Sequence, residues 1–125
     1  MEMLDLKYIV TMCVIKKKDI SEVVMFKKYI PIQEKLALID EYIKSLECYE
    51  KGIGYIDSFE QYFKFTMMAV RAYTNIKIDI TYEEYDLLVK NGLLNLIFEQ
   101  VQNDYVDFKD IMQMKLSDYL RINMV

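Results

Sequence analysis

The stretch SFEQYFKFTMMAVRAY (residues 58–73) decides the fold, because it is apolar on nearly every face of a helix. A helix that is apolar all round must be surrounded, either by the rest of its own domain or by lipid. A bilayer span needs about 20 apolar residues, whereas this shorter stretch is interrupted by Glu60, Gln61, Lys64 and Arg71. We therefore predict that residues 58–74 form the central helix of a compact all-α bundle.

The composition limits both the size and the class of the protein. A chain of 125 residues has room for one helical domain, residues 1–125. Its net charge of −4 argues against nucleic-acid binding, which needs a cationic surface. The basic run Lys16–Lys18 is followed at once by Asp19 and is interpreted as a solvated turn. Hydrophobic residues make up 54 % of the chain, so we expect some apolar surface to face a partner or a second copy.

The two cysteines and the N-terminal sequence indicate the compartment. Cys13 and Cys48 fit no metal-binding or redox spacing and are interpreted as buried, reduced thiols. The start MEMLDLKYIV lacks the cationic region and the cleavage site of a signal peptide. No run of about 20 apolar residues follows. We expect a protein of a reducing cytoplasm that neither crosses nor binds a membrane.

Helices are also expected ahead of the central one. The segment 6–15 (LKYIVTMCVI) is long enough for a buried helix, and a strand remains the alternative. Asp19 or Ser21 can cap a short second helix. From Pro31 an amphipathic helix runs to about Glu47. Its apolar side is formed by Ile32, Leu36, Ile39, Ile43 and Leu46.

Capping signals set the boundaries of the later helices, which bring the total to five or six. Ser58 with Gln61, and Thr81 with Glu84, have the spacing of capping boxes. Asn91-Gly92 is a helix stop. Asn103 or Asp104 is expected to cap the last helix.

An extended segment is predicted between the central helix and the next one. The central helix should stop at Thr74-Asn75, because asparagine tolerates the left-handed conformation. Ile76, Ile78 and Ile80 then alternate with polar residues, which is typical of extended chain with one apolar edge. We expect these isoleucines to hold the segment against the bundle.

The residue types do not favour catalysis. The chain has no histidine, and it has no glycine-rich phosphate motif. Asp104, Asp107 and Asp110 repeat at intervals of three and could present oxygens to a hard cation. Acidic residues that face water near a helix N-terminus are the more ordinary interpretation of this pattern. We predict no catalytic, metal-binding or cofactor-binding residue and no enzyme.

Four strings, in their order along the chain, resemble a family of small uncharacterised all-helical proteins from tailed bacteriophages of low-GC Gram-positive bacteria. They are YIPIQEKL (29–36), AYTNIKI (72–78), YDLL (85–88) with GL (92–93), and MKLSD (114–118). The resemblance covers residues 26–123. It implies a phage gene product from the region between head and tail genes, and it supplies no functional residues to transfer.

Apolar composition and this resemblance together predict a non-enzymatic virion structural or assembly protein, of the head–tail connector or tail-assembly type. Its expected partners are other virion proteins or copies of itself as a homo-oligomer, in the virion or the infected host cytoplasm. The alternative is a host-directed inhibitor, such as an anti-defence protein. The residues predicted to make the contacts are Tyr49, Tyr55, Tyr105, Phe108, Met112 and Tyr119.

Overall fold

The computed structural model describes residues 2–46 and 57–123, and within them the chain is a compact all-α bundle, as predicted. Seven α-helices are present in these ranges, and one π-helical turn, Thr11–Ile15, directly continues the first of them. The helices are α1 (Leu6–Val10), α2 (Ile20–Val23), α3 (Ile32–Leu46), α4 (Ser58–Tyr73), α5 (Tyr82–Lys90), α6 (Leu93–Gln100) and α7 (Gln102–Asn123).

The N-terminal segment 6–15 is helical throughout, so the strand alternative is wrong. Leu6 and Ile9 are buried three residues apart, which is the spacing of one helix face. A strand would have buried alternate residues instead. Because this segment and residues 20–23 both form helices, the bundle reaches seven.

Helix α4 lies at the centre of the bundle, as its sequence predicts. Phe63 and Met67 pack on one side of it, in a core shared with α1, α2, α5 and α6. Phe65 and Tyr73 pack on another side, in a core shared with α3 and α7. Helix α4 contributes buried side chains to both cores, and the half-buried rings of Phe26 and Phe98 pack against both, so this one helix organises the two.

Asp57 caps α4, one residue earlier than predicted. Its carboxylate accepts hydrogen bonds from the backbone N–H groups of Phe59 (2.8 Å) and Glu60 (3.1 Å). The predicted capping box at Ser58 and Gln61 is therefore wrong, because Ser58 already lies inside the first helical turn. The acidic cap satisfies the free N–H groups and also opposes the positive end of the helix dipole.

Most of the other helix boundaries agree with the sequence: Asp19 caps α2, and α4 ends at Tyr73 with Thr74 as its C-cap. The capping box that begins at Thr81 is formed in both directions. Gly92 adopts a left-handed conformation, with φ of +69°, where α5 ends. The last helix begins at Gln102, ahead of the predicted cap at Asn103 or Asp104.

The extended segment after α4 ties the N-terminal region to the bundle. The Asn75 side chain accepts a hydrogen bond from Met25 N (3.0 Å) and donates one to the Glu2 carbonyl (2.9 Å). A parallel bridge pairs Leu4 with Ile76, which is fully buried. Asn75 is not left-handed, contrary to the prediction, because its side chain is used for this tertiary clamp.

Helix α3 is amphipathic as predicted, but its buried side is rotated at the N-terminal end. Ile39, Ile43 and Leu46 are buried, as the sequence indicates. Ile32 is half exposed, whereas Lys35 is only 2 % exposed. The sequence places Lys35 on the polar side, and that placement is wrong because its ammonium has partners on α7.

Candidate functional site

A cluster of charged and polar side chains lies between α3, α4 and α7. This ion cluster consists of Lys35, Tyr73 and Asp104, whose side chains are buried, and of Asp107, whose side chain is exposed. Lys35 Nζ lies 3.0 Å from Asp104 Oδ1 and 2.8 Å from Asp107 Oδ2. The second Asp104 oxygen accepts hydrogen bonds from Tyr73 Oη (2.6 Å) and Ile30 N (3.1 Å). A buried charge is tolerated when it is paired and fully hydrogen-bonded, which is the case here.

The partners in this cluster decide which groups are charged. Burial alone raises the pKa of Asp104, but hydrogen bonds from Tyr73, Lys35 and Ile30 outweigh it, and the net pKa lies below the usual 3.8. Burial alone lowers the pKa of Lys35, but Asp107 and Asp104 outweigh it, and the net pKa is raised. Burial and the neighbouring Asp104 raise the pKa of Tyr73 far above neutrality. At neutral pH the Lys35 ammonium and the Asp104 carboxylate are therefore both charged, and the Tyr73 phenol beside them is neutral.

We expect acid to weaken the fold through Asp104. Because its folded-state pKa is depressed, its contribution to stability is present above the unfolded value of 3.8 and is lost as the pH falls through the folded value. The free energy of unfolding, followed by urea titration at several pH values, should fall more steeply below about pH 4 for the wild type than for Asp104→Asn. Equal slopes for the two proteins would contradict this assignment.

The cluster does not match the sequence-based interpretation of the three aspartates. Asp107 and Asp110 are exposed, as expected for acids near a helix start. Asp104 instead faces inward, so its predicted solvated position is wrong. Within residues 2–46 and 57–123, no group of three or more histidine, cysteine, aspartate or glutamate side chains is placed to hold a metal ion. Lys35 Nζ and both Asp104 carboxylate oxygens make hydrogen bonds within the chain, and the cluster joins three helices.

The residues predicted for partner contacts fall into three groups. Tyr49 and Tyr55 lie outside the described residues. Phe108 is fully buried and Met112 is nearly so, both in the core that α3, α4 and α7 share. Their predicted place at the surface is wrong, because the four-residue spacing puts both on the inner face of α7.

Tyr105 and Tyr119 are half-buried on the outer edge of the same core. The Tyr105 ring stacks on Phe98 with centroids 4.2 Å apart. Together with Phe65 it lines a groove of about 200 Å³ between α4 and α7. This groove is small for a ligand, since pockets for small molecules usually measure about 300–1,000 Å³.

Within residues 2–46 and 57–123, the largest group of exposed rings lies where α4 and α5 begin. Phe59 and Tyr62 are 49 % exposed, and Tyr82 is 57 % exposed. Glu60 accepts a hydrogen bond from Tyr82, Asp57 lies close enough to raise the pKa of Tyr82, and Glu83 follows Tyr82 in α5. We name the whole patch the acidic aromatic surface, and its members are Asp57, Phe59, Glu60, Tyr62, Tyr82 and Glu83.

Buried and half-buried rings hold this surface in place. The Phe63 ring, which is buried, stacks on Phe59 at 5.9 Å and meets Tyr82 edge to face at 4.8 Å. The hydroxyls of Tyr62 and Tyr85 lie 3.1 Å apart. Contacts of this type favour one orientation of each ring. The surface is therefore presented in a fixed arrangement, although its rings are half exposed.

The tyrosine hydroxyls are also fixed by hydrogen bonds. Tyr82 Oη donates to Glu60 Oε1 at 2.5 Å, and this bond, together with the charges of Glu60 and Asp57, raises the pKa of Tyr82. The hydrogen bond with Tyr85, aided by burial, raises the pKa of Tyr62 to about 12. Both phenols stay neutral at physiological pH, so the negative charge of the surface comes from its carboxylates.

Sequence reasoning did not find this surface. The sequence predicts that the bundle encloses Phe59 and Tyr62, but both side chains are 49 % exposed. The signal in the sequence is the acidic first turn of each helix. Glu60 lies in the first turn of α4 and Glu83 in that of α5, and aromatic residues stand next to both.

Two further findings complete the description. None of the helices in the described ranges has the length and hydropathy needed to cross a membrane. Comparison with protein-family models, with curated proteins and with solved structures finds no match to this chain.

Proposed function

We propose that this protein is a non-enzymatic structural or assembly protein of a tailed-phage virion, of the head–tail adaptor or tail-assembly type. It works by contact with other virion proteins or with copies of itself. The observation that carries the proposal is the acidic aromatic surface, where three half-exposed rings, Phe59, Tyr62 and Tyr82, lie side by side. Exposed aromatic residues of this kind are enriched where proteins bind proteins and dominate the binding energy.

The fixed orientation of the rings favours a binding role for this surface. The rings rest on Phe63, and the Tyr62 and Tyr82 hydroxyls are hydrogen-bonded within the chain. Ordering a flexible side chain at an interface costs about 0.5–1.5 kcal/mol. Rings that are already held in one orientation avoid most of that cost, so more of the contact energy appears as binding free energy.

The charged groups of the ion cluster, which are the types that could act in catalysis, are bonded to one another within the fold. Lys35 is paired with Asp104 and Asp107, and Asp104 also binds Tyr73. A catalytic group must reach a substrate atom within hydrogen-bonding distance. The inward direction of Lys35 and Asp104 favours a structural role for this cluster. The phage setting of the proposal rests on the resemblance of the ordered strings in the sequence.

We expect the double substitution Phe59→Ser/Tyr82→Ser to block virion assembly. In a phage that encodes this chain, the gene is deleted and supplied from a plasmid as wild type or variant. Loss of two central aromatic contacts should lower the infectious titre by about tenfold or more, since such residues often contribute 2 kcal/mol or more each. Electron microscopy should show unjoined heads and tails or other incomplete particles.

The matched control is Val106→Ser/Met114→Ser, which removes two equally exposed apolar residues from α7. Circular dichroism establishes that both double variants fold. A normal titre with complete particles for Phe59→Ser/Tyr82→Ser would overturn the proposed role of the surface. Complete particles made without the chain at all, with a defect confined to early infection, would instead favour the host-directed inhibitor.

A further inference from the structure

A basic turn lies near the N-terminus, at residues 11–18, and its lysines have no ion-pair partner in residues 2–46 and 57–123. The π-helical turn Thr11–Ile15 leaves Ile15 72 % exposed, and Lys16–Lys18 follow it, all exposed. These three lysines form no ion pair with any residue in the described ranges. The turn thus presents three ammonium groups next to the exposed side chain of Ile15.

Two backbone hydrogen bonds fix the conformation of this basic turn. Lys16 N donates to the Thr11 carbonyl (3.0 Å), and Lys18 N donates to the Met12 carbonyl (2.9 Å). Lys17 adopts φ of +55°, a left-handed conformation in which glycine or asparagine would be less strained. The three lysines are therefore held on a fixed loop and not on a free tail.

The acidic aromatic surface is chemically complementary to this turn. It carries the carboxylates of Asp57 and Glu60 beside the exposed rings, and Glu83 follows Tyr82 in the chain. Asp57 also caps α4, and Glu60 Oε2 also lies 3.9 Å from Lys64 Nζ. Lysine ammonium groups bind favourably over aromatic rings as well as beside carboxylates. The chain already makes such contacts internally, since Lys28 Nζ lies 5.5 Å from the Phe26 ring centre and Lys35 Nζ lies 5.3 Å from that of Tyr29.

We propose that the basic turn of one copy docks on the acidic aromatic surface of the next copy, a contact that rests on the proposed function. Ile15 lies against the rings, and Lys16–Lys18 face the carboxylates. Because the two surfaces differ, the contact is head-to-tail, and each copy has one free surface of each kind. Repetition of such a contact gives a ring if the rotation closes and a filament if it does not.

Charge makes this association sensitive to salt. Each copy has a net charge of −4, so two copies repel at a distance. The local pairing of lysines with carboxylates opposes that repulsion, together with the contact of Ile15 and the ammonium groups with the rings. The Debye length is about 10 Å at 0.1 M ionic strength and about 3 Å at 1 M. Adding salt should therefore weaken the contact.

The test is sedimentation velocity of the purified full chain over a range of concentrations. The wild type should self-associate, with a dissociation constant that rises about tenfold or more between low and high salt. Lys16→Glu/Lys17→Glu/Lys18→Glu should be monomeric. The control Lys77→Glu/Lys90→Glu/Lys115→Glu, which changes the net charge equally at exposed lysines elsewhere, should associate about as well as the wild type.

A charge swap tests the pairing itself. Glu60→Lys/Glu83→Lys alone should also be monomeric. Mixing it with Lys16→Glu/Lys17→Glu/Lys18→Glu should restore association, because the unchanged basic turn of the first variant meets the unchanged acidic aromatic surface of the second, and the two reversed surfaces are complementary as well. Circular dichroism establishes that each variant folds. A wild type that is monomeric at every concentration and salt, or equal association of both triple variants, would overturn the proposal. If the chain is monomeric yet Phe59→Ser/Tyr82→Ser still blocks assembly, only the self-association fails and the proposed function stands.

Discussion

Asp104→Leu should lower the free energy of unfolding by about 3–5 kcal/mol, because it leaves the buried Lys35 ammonium without its inner partner. Lys35 is 2 % exposed, and its other partner, Asp107, lies at the surface. Tyr73 Oη and Ile30 N lose their acceptor in the same change. Urea unfolding followed by circular dichroism measures the loss at neutral pH.

Two further variants separate a buried ion pair from general sensitivity of α7. Asp110→Leu removes an exposed carboxylate from the same helix and should change stability by no more than about 0.5 kcal/mol. Lys35→Met/Asp104→Leu should recover a large part of the loss, since apolar replacement of a whole buried pair is often nearly neutral. If Asp104→Leu were no more harmful than Asp110→Leu, the cluster would not be buried as described.

Phe108→Ala should cost about 3–5 kcal/mol, the usual range for removal of a buried phenylalanine ring. Phe108 is fully buried and lies 5.0 Å from the Phe65 ring centre and 6.2 Å from that of Tyr73. Its removal opens a cavity between α4 and α7. The matched control, Met114→Ala, removes an exposed side chain of α7.

We expect that control to change the free energy of unfolding by no more than about 0.5 kcal/mol, because surface substitutions usually do. Thermal or urea unfolding of the two variants beside the wild type decides the matter. A small effect of Phe108→Ala, similar to that of Met114→Ala, would restore Phe108 as a surface residue available to a partner.

Local sequence signals predicted much of the fold. The apolar pattern of residues 58–73 identified the central helix, and the spacing of Thr81 and Glu84 identified the start of α5. Gly92 marked a left-handed stop. These features depend on neighbours within a few residues, which is why the sequence is sufficient for them.

Features that depend on distant residues were missed. Lys35 and Asp104 are 69 residues apart in sequence, and each looks like an ordinary surface charge in its own helix. Asn75 reads as a helix stop, although its side chain clamps Glu2 and Met25. Only the packing of α3, α4 and α7 brings such groups together, and no local periodicity encodes it.

The candidate site was missed for a related reason. Periodicity indicates that α4 is apolar all round, but it does not show where the neighbouring helices end. Phe59 and Tyr62 lie in the turns of α4 that the neighbouring helices leave partly uncovered, and Tyr82 joins them from α5. Conversely, Phe108 and Met112 lie on a helix that looks exposed by composition, yet they face the core.

Quantitative mass spectrometry of purified and unfinished particles tests the central claim most directly. In a phage that encodes this chain, wild-type protein should be present in mature or unfinished particles at a fixed copy number. Phe59→Ser/Tyr82→Ser should be depleted from them by about tenfold or more, while Val106→Ser/Met114→Ser is retained. Absence of the wild-type chain from both kinds of particle, with abundant protein early in infection, would contradict the account.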